Sequence, residues 1–549
     1  MKRFQKLRML AGMMLLAGMA AAVVVFASPY APVVQPAPDI EAIWAIEDAR
    51  EESEMPLLTA LSLGGMPLAY DAEANRFFCT LGLDHGDAWP QMHLTAPGAK
   101  GLSVVFVDDY SYDWCADAIR EGYAYQLLAY NDEAFSYAEI VFTGLPQLQI
   151  FTRGEVTEAD SPVTVSGAGY GEEALSSTGR IHLRGASTML FRKKSYKLEF
   201  TRERGGYGKK ISRYVPGFGE ADDIALLPCV QENEKMRDKL SWDLYAMIAQ
   251  DDESFGARRA EYVELFIDNA YAGLYLMVEP VDIAQELALE DSRRAETDSV
   301  YRTAALNFSK GREYVKHPFR SNAGYELYYA PGSGADPFAA IRPYIELLRE
   351  EDDAVFAKKA LEMIDIDSML RQVLFVQGGG MTDNFFNNMY IWAHPENGGG
   401  MTYRFAPWDL DMTWGLMKVD IGEEFENWLH FPLADRMINL NVGGIRQRLY
   451  DMWQEMRRTV FSEAVLEEKI SKYIHLLGDS GALARDAERW GTDMYYPDGY
   501  EIISFAAVRY PLIDAAVELI AGNGGEPVSF LTNSEYELKG GTMLPALEQ

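Results

Sequence analysis

The apolar positions change their rhythm several times along the chain. An uncharged run from Met9 to Ala27 comes first, close in length to the roughly 20 residues that span a bilayer. Residues 28–39 are rich in Pro, Ala and Val without helical periodicity and read as a linker. From about Met55 to Phe151, short apolar runs such as "RFFCTLGL", "LSVVFVDD" and "AEIVFTGLPQLQIF" alternate with Gly, Pro and Asp, which predicts a small, mostly β unit. "GRIHLRGASTMLFRKKSYKLEF" (Gly179 to Phe200) continues the β pattern, and "EYVELFIDNAYAGLYLMVEPVD" predicts a hairpin turning at Asp268 to Gly273. Between these two segments, "NEKMRDKLSWDLYAMIAQD" sets Met236, Leu240, Leu244 and Met247 on one helical face. Beyond Tyr344 the period becomes mainly helical. "DIDSMLRQVLFVQ" opens on an acidic cap and buries Ile366, Met369, Leu370, Val373 and Leu374. A strand pair, "NMYIW" and "MTYRFAPW", is joined across "AHPENGGG", and helices follow at about Glu463 to Leu477 and Ile502 to Ile520. No internal repeat is visible.

With 549 residues the chain exceeds one ordinary domain. Its 83 acidic against 50 basic residues, net −33, speak against a nucleic-acid partner, because phosphate binding draws on clustered Lys and Arg. The same acidity suits cationic or metal-bridged ligands, or simply a solubilising surface. Lys2, Arg3, Lys6 and Arg8 ahead of the apolar run make an export signal. Val25 and Ala27 offer small residues for cleavage near Ala27; uncleaved, residues 9–27 would tether the chain to a membrane. Either way the protein is expected to be extracytoplasmic. No Cys follows the run to carry a lipid. Cys79, Cys115 and Cys229 are too few and too scattered for a disulfide framework, and a Cys79–Cys115 bridge is the one pairing expected.

Seven His are scattered without ligand spacing, which gives a zinc site little support, and no nucleophile elbow occurs. The conspicuous stretches are "GGGMTDNFFNNMYIW" and "FAPWDLDMTWG". Asp383 precedes Asn388 by five residues, the offset between the proton-accepting Asp and the metal-holding Asn of protein kinases. A loop after the helix would present Asp383, Asn388 would stand where a strand begins, and the hairpin would return Asp409 to the same end. Such oxygens suit magnesium, which keeps phosphate or water oxygens in its remaining positions. An ordinary Asx-rich turn is the competing reading. Upstream, "LRGASTMLFRKKSYKLEF" combines a small-residue turn with Lys193 and Lys194, either a phosphate cradle or an exposed basic hairpin.

Taken together, "IHLRGASTMLFRKKSYKLEF", "MRDKLSWDLY", "YVELFIDNAYAGLYLMVEP", and "DNFFNNMYIW" with "RFAPWDLDMTWG" resemble, in order, the CotH family. These are spore-coat-protein-like atypical kinases. The resemblance covers roughly Leu145 to Ile520. It implies an α+β, two-lobed atypical protein-kinase-like fold preceded by a small mostly β domain. The expected layout is a signal or anchor at 1–27, a linker at 28–39, a β-rich domain at 40–144, an N-lobe region at 145–340, a helical C-lobe at 341–525 and a tail at 526–549. It further implies ATP with magnesium or manganese, and protein substrates with Ser/Thr hydroxyls. By the same resemblance Asp383 is the catalytic Asp, with Asn388, Asp409 and secondarily Asp411 at the metal. Arg184, Ser187, Lys194 (Lys193 as alternate), Arg237 and Glu279 fall on the nucleotide side. Met381 and Thr382 stand where kinases carry His and Arg, and "DLDMTWG" is not a DFG sequence. A catalytically inactive envelope or surface scaffold with the same fold is the alternative, and an adhesion role for the N-terminal β unit a third.

Overall fold

Alternating side chains along Leu175–Arg184 and its neighbours turn one face of each strand inward, and the resulting sheet closes on itself. In this computed structural model of the mixed α+β chain, the barrel runs in the order Gln147–Phe151, Ser161–Ala168, Leu175–Arg184, Ser195–Thr201, Asp223–Leu227, Ala270–Val278, Ala260–Ile267. The last strand pairs parallel with the first. Closure leaves no sheet edge for a stray strand to join. Ile150, Val165, Ile181, Leu198, Phe200, Ile224, Leu265 and Met277 fill the interior, each contributing about 1.5–3 kcal/mol by burial. The described residues are 31–82, 94–98, 101–107, 119–185, 190–202, 208–249, 258–280, 294–303, 321–322, 325–331, 336–382, 384–385, 387–416, 428–532, 536–539 and 542–545.

Before the barrel lies a six-stranded sheet that includes Arg76–Thr80, Ala134–Thr143 and Ala124–Tyr130. Phe78 of this sheet packs on Phe266 and Tyr271 of the barrel, at ring centroid distances of 4.8 and 5.2 Å. The linker expected at 28–39 is tied down in part: Val34 is buried, its N–H donates to the Leu94 carbonyl at 2.9 Å, and Gln35 bridges to Val105. Val34 joins the core of the N-terminal sheet ahead of the Ile40–Asp48 helix, whereas Val33 is exposed. Cys79 is a free, fully buried thiol rather than half of a bridge; Cys115 lies outside the described residues.

The chain divides into two compact units that do not follow the expected linear boundaries. One comprises Met1–Asn233, Ala260–Glu279 and Lys472–Pro497; the other comprises Glu234–Arg259, Pro280–Ser471 and Asp498–Gln549. The 40–144 region thus shares a unit with the barrel, whereas the Arg237–Ile248 helix, expected in the N-lobe region, belongs with the helical part. Its aromatic side chains explain this: Trp242 packs on Trp408 and Tyr245 on Phe375. These rings widen the buried face, and of the four expected core residues Met236, Leu240 and Leu244 are buried while Met247 is only half-buried.

The expected Asp268–Gly273 turn is tighter than its sequence reading. Asp268 and Asn269 both take left-handed backbone angles, φ 51° and 60°, as a two-residue hairpin turn requires. Gly273 lies inside the Ala270–Val278 strand at φ +108°, where an added Cβ would stand 2.3 Å from the Asp486 carboxylate. That carboxylate comes from the Ala482–Trp490 helix of the same unit. Helices in the second unit include Asp353–Met363, Ile366–Gly379, Ile445–Thr459 and Tyr500–Gly522, beside a five-stranded antiparallel sheet that ends in the hairpin Met389–Pro395 and Met401–Pro407. Part of the expected tail joins this unit, with Val528 and Leu531 buried and the Val528 N–H donating to Asn439 Oδ1. Among the described residues no helix is long and apolar enough to cross a membrane; residues 9–27 lie outside them.

Burial pushes the Cys79 thiol up to about 12. In the native chain at pH about 8, where an exposed thiol reacts readily, Cys79 should resist iodoacetamide until denaturant is added. Peptide mapping reads this directly, and prompt native labelling would contradict the buried placement.

Candidate functional site

The helix Ile366–Gly379 delivers the chain to the site. Asp365 caps it, its side chain accepting from the Ser368 N–H at 2.9 Å, and Ile366, Met369, Leu370, Val373 and Leu374 are buried as their spacing predicts. Gly380 ends it in the left-handed conformation, φ 59° and ψ 43°, a C-terminal stop that suits glycine. Here an added Cβ would meet the Phe505 ring at 2.4 Å. Asp383 lies outside the described residues; Thr382 and Asn384 bracket it.

The hairpin then brings Asn388 and Asp409 to the same end. Met389 pairs with Pro407, and beyond that pair the Trp408 N–H donates to the Asn388 carbonyl at 2.8 Å. Asn388 and Asp409 both adopt left-handed backbones, φ 52° and 58°, as does Trp414 at 53°. Asn and Asp tolerate this region best among residues with side chains; for Trp it is an outlier held by its surroundings. The Trp414 indole N–H donates to Ser241 Oγ at 2.8 Å, its backbone N–H to the Gly379 carbonyl at 2.8 Å, and its ring is fully buried. Arg237, 1% exposed, reaches the Trp414 carbonyl with Nε at 3.5 Å and Glu501 with Nη2 at 2.7 Å. Its guanidinium therefore binds the "DMTWG" loop from inside. Asp411, two residues beyond Asp409, is half-buried.

Sequence spacing did not single out Asn384. Its side chain, 1% exposed, donates from Nδ2 to the Trp408 carbonyl at 2.7 Å and to the Asn388 carbonyl at 3.2 Å. Ser241 and Trp414 were likewise unmarked. Asn384 sits in "DNFFNN", where nothing local distinguishes one Asn from the next.

In the barrel unit, Arg184 ends one strand directly opposite Ser195, which begins the next. Ser187, in the loop between, lies outside the described residues. Lys193 and Lys194 differ sharply. Lys193 is 2% exposed, and its Nζ donates to Asp486 Oδ1 at 2.7 Å and to the Leu274 carbonyl, over the Tyr275 ring at 4.7 Å. Such a buried pair gives Lys193 a structural role, because extracting it would strand Asp486. Lys194 is half-buried, and its carbonyl accepts from the Tyr275 hydroxyl at 3.0 Å. Glu279 follows the Ala270–Val278 strand, four residues past Tyr275 and so roughly 13 Å further along it. The fold does not bring Glu279 to the Lys194 end.

Among the described residues no group of three or more His, Cys, Asp or Glu gathers as metal ligands. Asn388 and Asp409, whose backbones meet at one hairpin end, carry an amide and a carboxylate, hard oxygen donors of the kind that suits magnesium or manganese and not a thiophilic metal.

Residues 181–509 match the family model of the CotH kinase protein. The chain belongs to the CotH family. The family match begins inside the barrel rather than near Leu145 and stops at 509 rather than Ile520, leaving the N-terminal six-stranded sheet outside it. Every candidate residue from Arg184 to Asp411 falls within the CotH span. No curated protein matches the chain.

The contrast between the two lysines is testable. Lys193→Ala should lower stability by about 3–5 kcal/mol, the cost of leaving a buried partner uncompensated. Lys194→Ala should change it by far less. Urea unfolding of both variants reads the difference, and equal losses would refute the structural assignment of Lys193.

Proposed function

We propose that this CotH-family chain is an ATP-dependent phosphotransferase that moves the γ-phosphoryl group to Ser or Thr hydroxyls of a protein. One observation carries the reading: Asn388 and Asp409 share one hairpin end, both in left-handed backbone, inside the family match. A divalent cation held by these oxygens would offset the charge of the nucleotide phosphates. Asp383 accepts the proton of the substrate hydroxyl, whose oxygen bonds to the γ-phosphorus as the bond to the leaving nucleotide oxygen breaks. Lys194, beside the small-residue loop that follows Arg184, offsets phosphate charge. Arg237 acts indirectly by holding the Trp414 carbonyl, and thereby the loop that carries Asp409.

On this reading the barrel unit and the helical unit are counterparts of the two kinase lobes. The basic residues ahead of the Met9–Ala27 run support action outside the cytoplasm, either free or tethered.

Two isosteric substitutions test the mechanism. Asp383→Asn should retain ATP binding while transfer falls by about 10²- to 10⁴-fold, the loss expected when a proton acceptor is removed. Asp409→Asn should weaken metal-dependent ATP binding and raise the metal concentration required, since a neutral oxygen replaces a charged one. Labelled-phosphate transfer and calorimetry measure both, and unchanged transfer in the two variants would refute the reading.

A further inference from the structure

Asn384 ties the Ile366–Gly379 helix to the chain segments that carry Asn388 and Asp409. Helix Ile366–Gly379 holds its backbone, because Gln372, fully buried, donates from Nε2 to the Asn384 carbonyl at 3.2 Å. The Asn384 N–H donates in turn to the Met381 carbonyl at 3.1 Å. From that fixed base the side-chain amide spends its two protons on two carbonyls. One belongs to Asn388, the other to Trp408, the residue immediately before Asp409. Both acceptors are carbonyl oxygens, so the amide orientation is forced: the opposite one would set Oδ1 against them. Its Oδ1 is then a buried atom without a partner among the described residues. A buried unpartnered oxygen costs about 1–3 kcal/mol, which an Ala or Ser at this position would avoid.

We propose that Asn384 is a positioning residue that sets the spacing of Asn388 and Asp409 and thereby the affinity of the site for a divalent cation. This rests on the phosphotransferase reading above. Asn388 and Asp409 both occupy left-handed backbone, which Asn and Asp tolerate and which the Asn384 bonds help to fix. The Asn384 amide is the side chain seen to grip both of their segments. It also follows Asp383 directly in the sequence. Partners that orient metal-binding groups typically control affinity by about 10- to 100-fold when removed.

The experiment compares the full chain with Asn384→Ala, Asn384→Ser and a control, Trp453→Phe, which removes an indole donor to Asp514 in the same unit. Manganese is titrated with ADP present, and bound metal is followed by electron spin resonance and by melting temperature. Transfer rate is measured at saturating metal. Asn384→Ala should raise the manganese midpoint by about 10- to 100-fold, with the limiting rate changed by only a few-fold. Asn384→Ser, keeping one donor and less prone to misfold, should fall between. The control should lose stability without moving the midpoint. A wild-type midpoint in both Asn384 variants would overturn the proposal while leaving the phosphotransferase reading intact. A wild-type chain that binds no manganese, with or without nucleotide, would overturn both.

Discussion

The barrel unit depends on two opposite charges carried side by side on one short helix. Arg485 and Asp486, both nearly fully buried, enter the barrel wall together: Arg485 Nε donates to Glu264 Oε1 at 2.8 Å, and Asp486 receives Lys193 and the Leu274 N–H. Tyr271 donates to the same Glu264 oxygen at 2.8 Å. Removing charges from water is expensive, and a buried pair holds its place only when both members and their hydrogen bonds are present. The left-handed Gly273 is the corresponding concession of the strand, since any side chain there would occupy the space of the Asp486 carboxylate. Burial and this ionic contact also account for the difference between adjacent lysines, one bound into the wall and one at its margin.

In the helical unit, hydrogen bonds hold the two loops that carry Asn388 and Asp409. Two short loops are pinned from three directions: Asn384 between them, Ser241 and Arg237 from the Arg237–Ile248 helix, and Gly379 at the end of the preceding helix. Asn384, Arg237 and Gly379 hold backbone groups of these loops, and Ser241 holds the Trp414 indole. A second hydrogen-bonded patch shows the same economy. Gln377 donates to the Leu429 carbonyl and accepts from its N–H, while Arg509 binds both the Gln377 carbonyl and its Oε1. Burial pulls the Arg509 guanidinium down to about 10, so it remains a cation at neutral pH.

Elements whose information is local were legible in the sequence. Asp365 and the apolar period after it mark one helix, and "NMYIW" and "MTYRFAPW" mark a hairpin whose register follows directly. The meeting of Asn388 and Asp409 was legible for the same reason, because a hairpin returns the chain to its start. Barrel closure was not legible, since it needs Gln147–Phe151 to pair with a strand beginning at Ala260. Nor was the fate of Lys193, decided by a residue 293 positions away. The Arg237–Ile248 helix was legible from the spacing of Met236, Leu240 and Leu244, but not that it is buried on most sides, with Trp242 on Trp408 and Tyr245 on Phe375, because apolar spacing does not name what covers it.

The ionic wall has a consequence for the order in which the molecule can be made. Glu264 and Lys193 leave the ribosome long before Arg485 and Asp486, which lie 221 and 293 residues further on. Until then the barrel strands carry an anion and a cation whose native sites are dry, so the nascent barrel cannot settle into its final packing. Contacts so distant in sequence slow folding, because the intervening chain must be ordered before they form. The barrel is therefore an early segment completed late, and a chain interrupted between Val278 and Asp486 would hold all of its strands but not the charges that let them close.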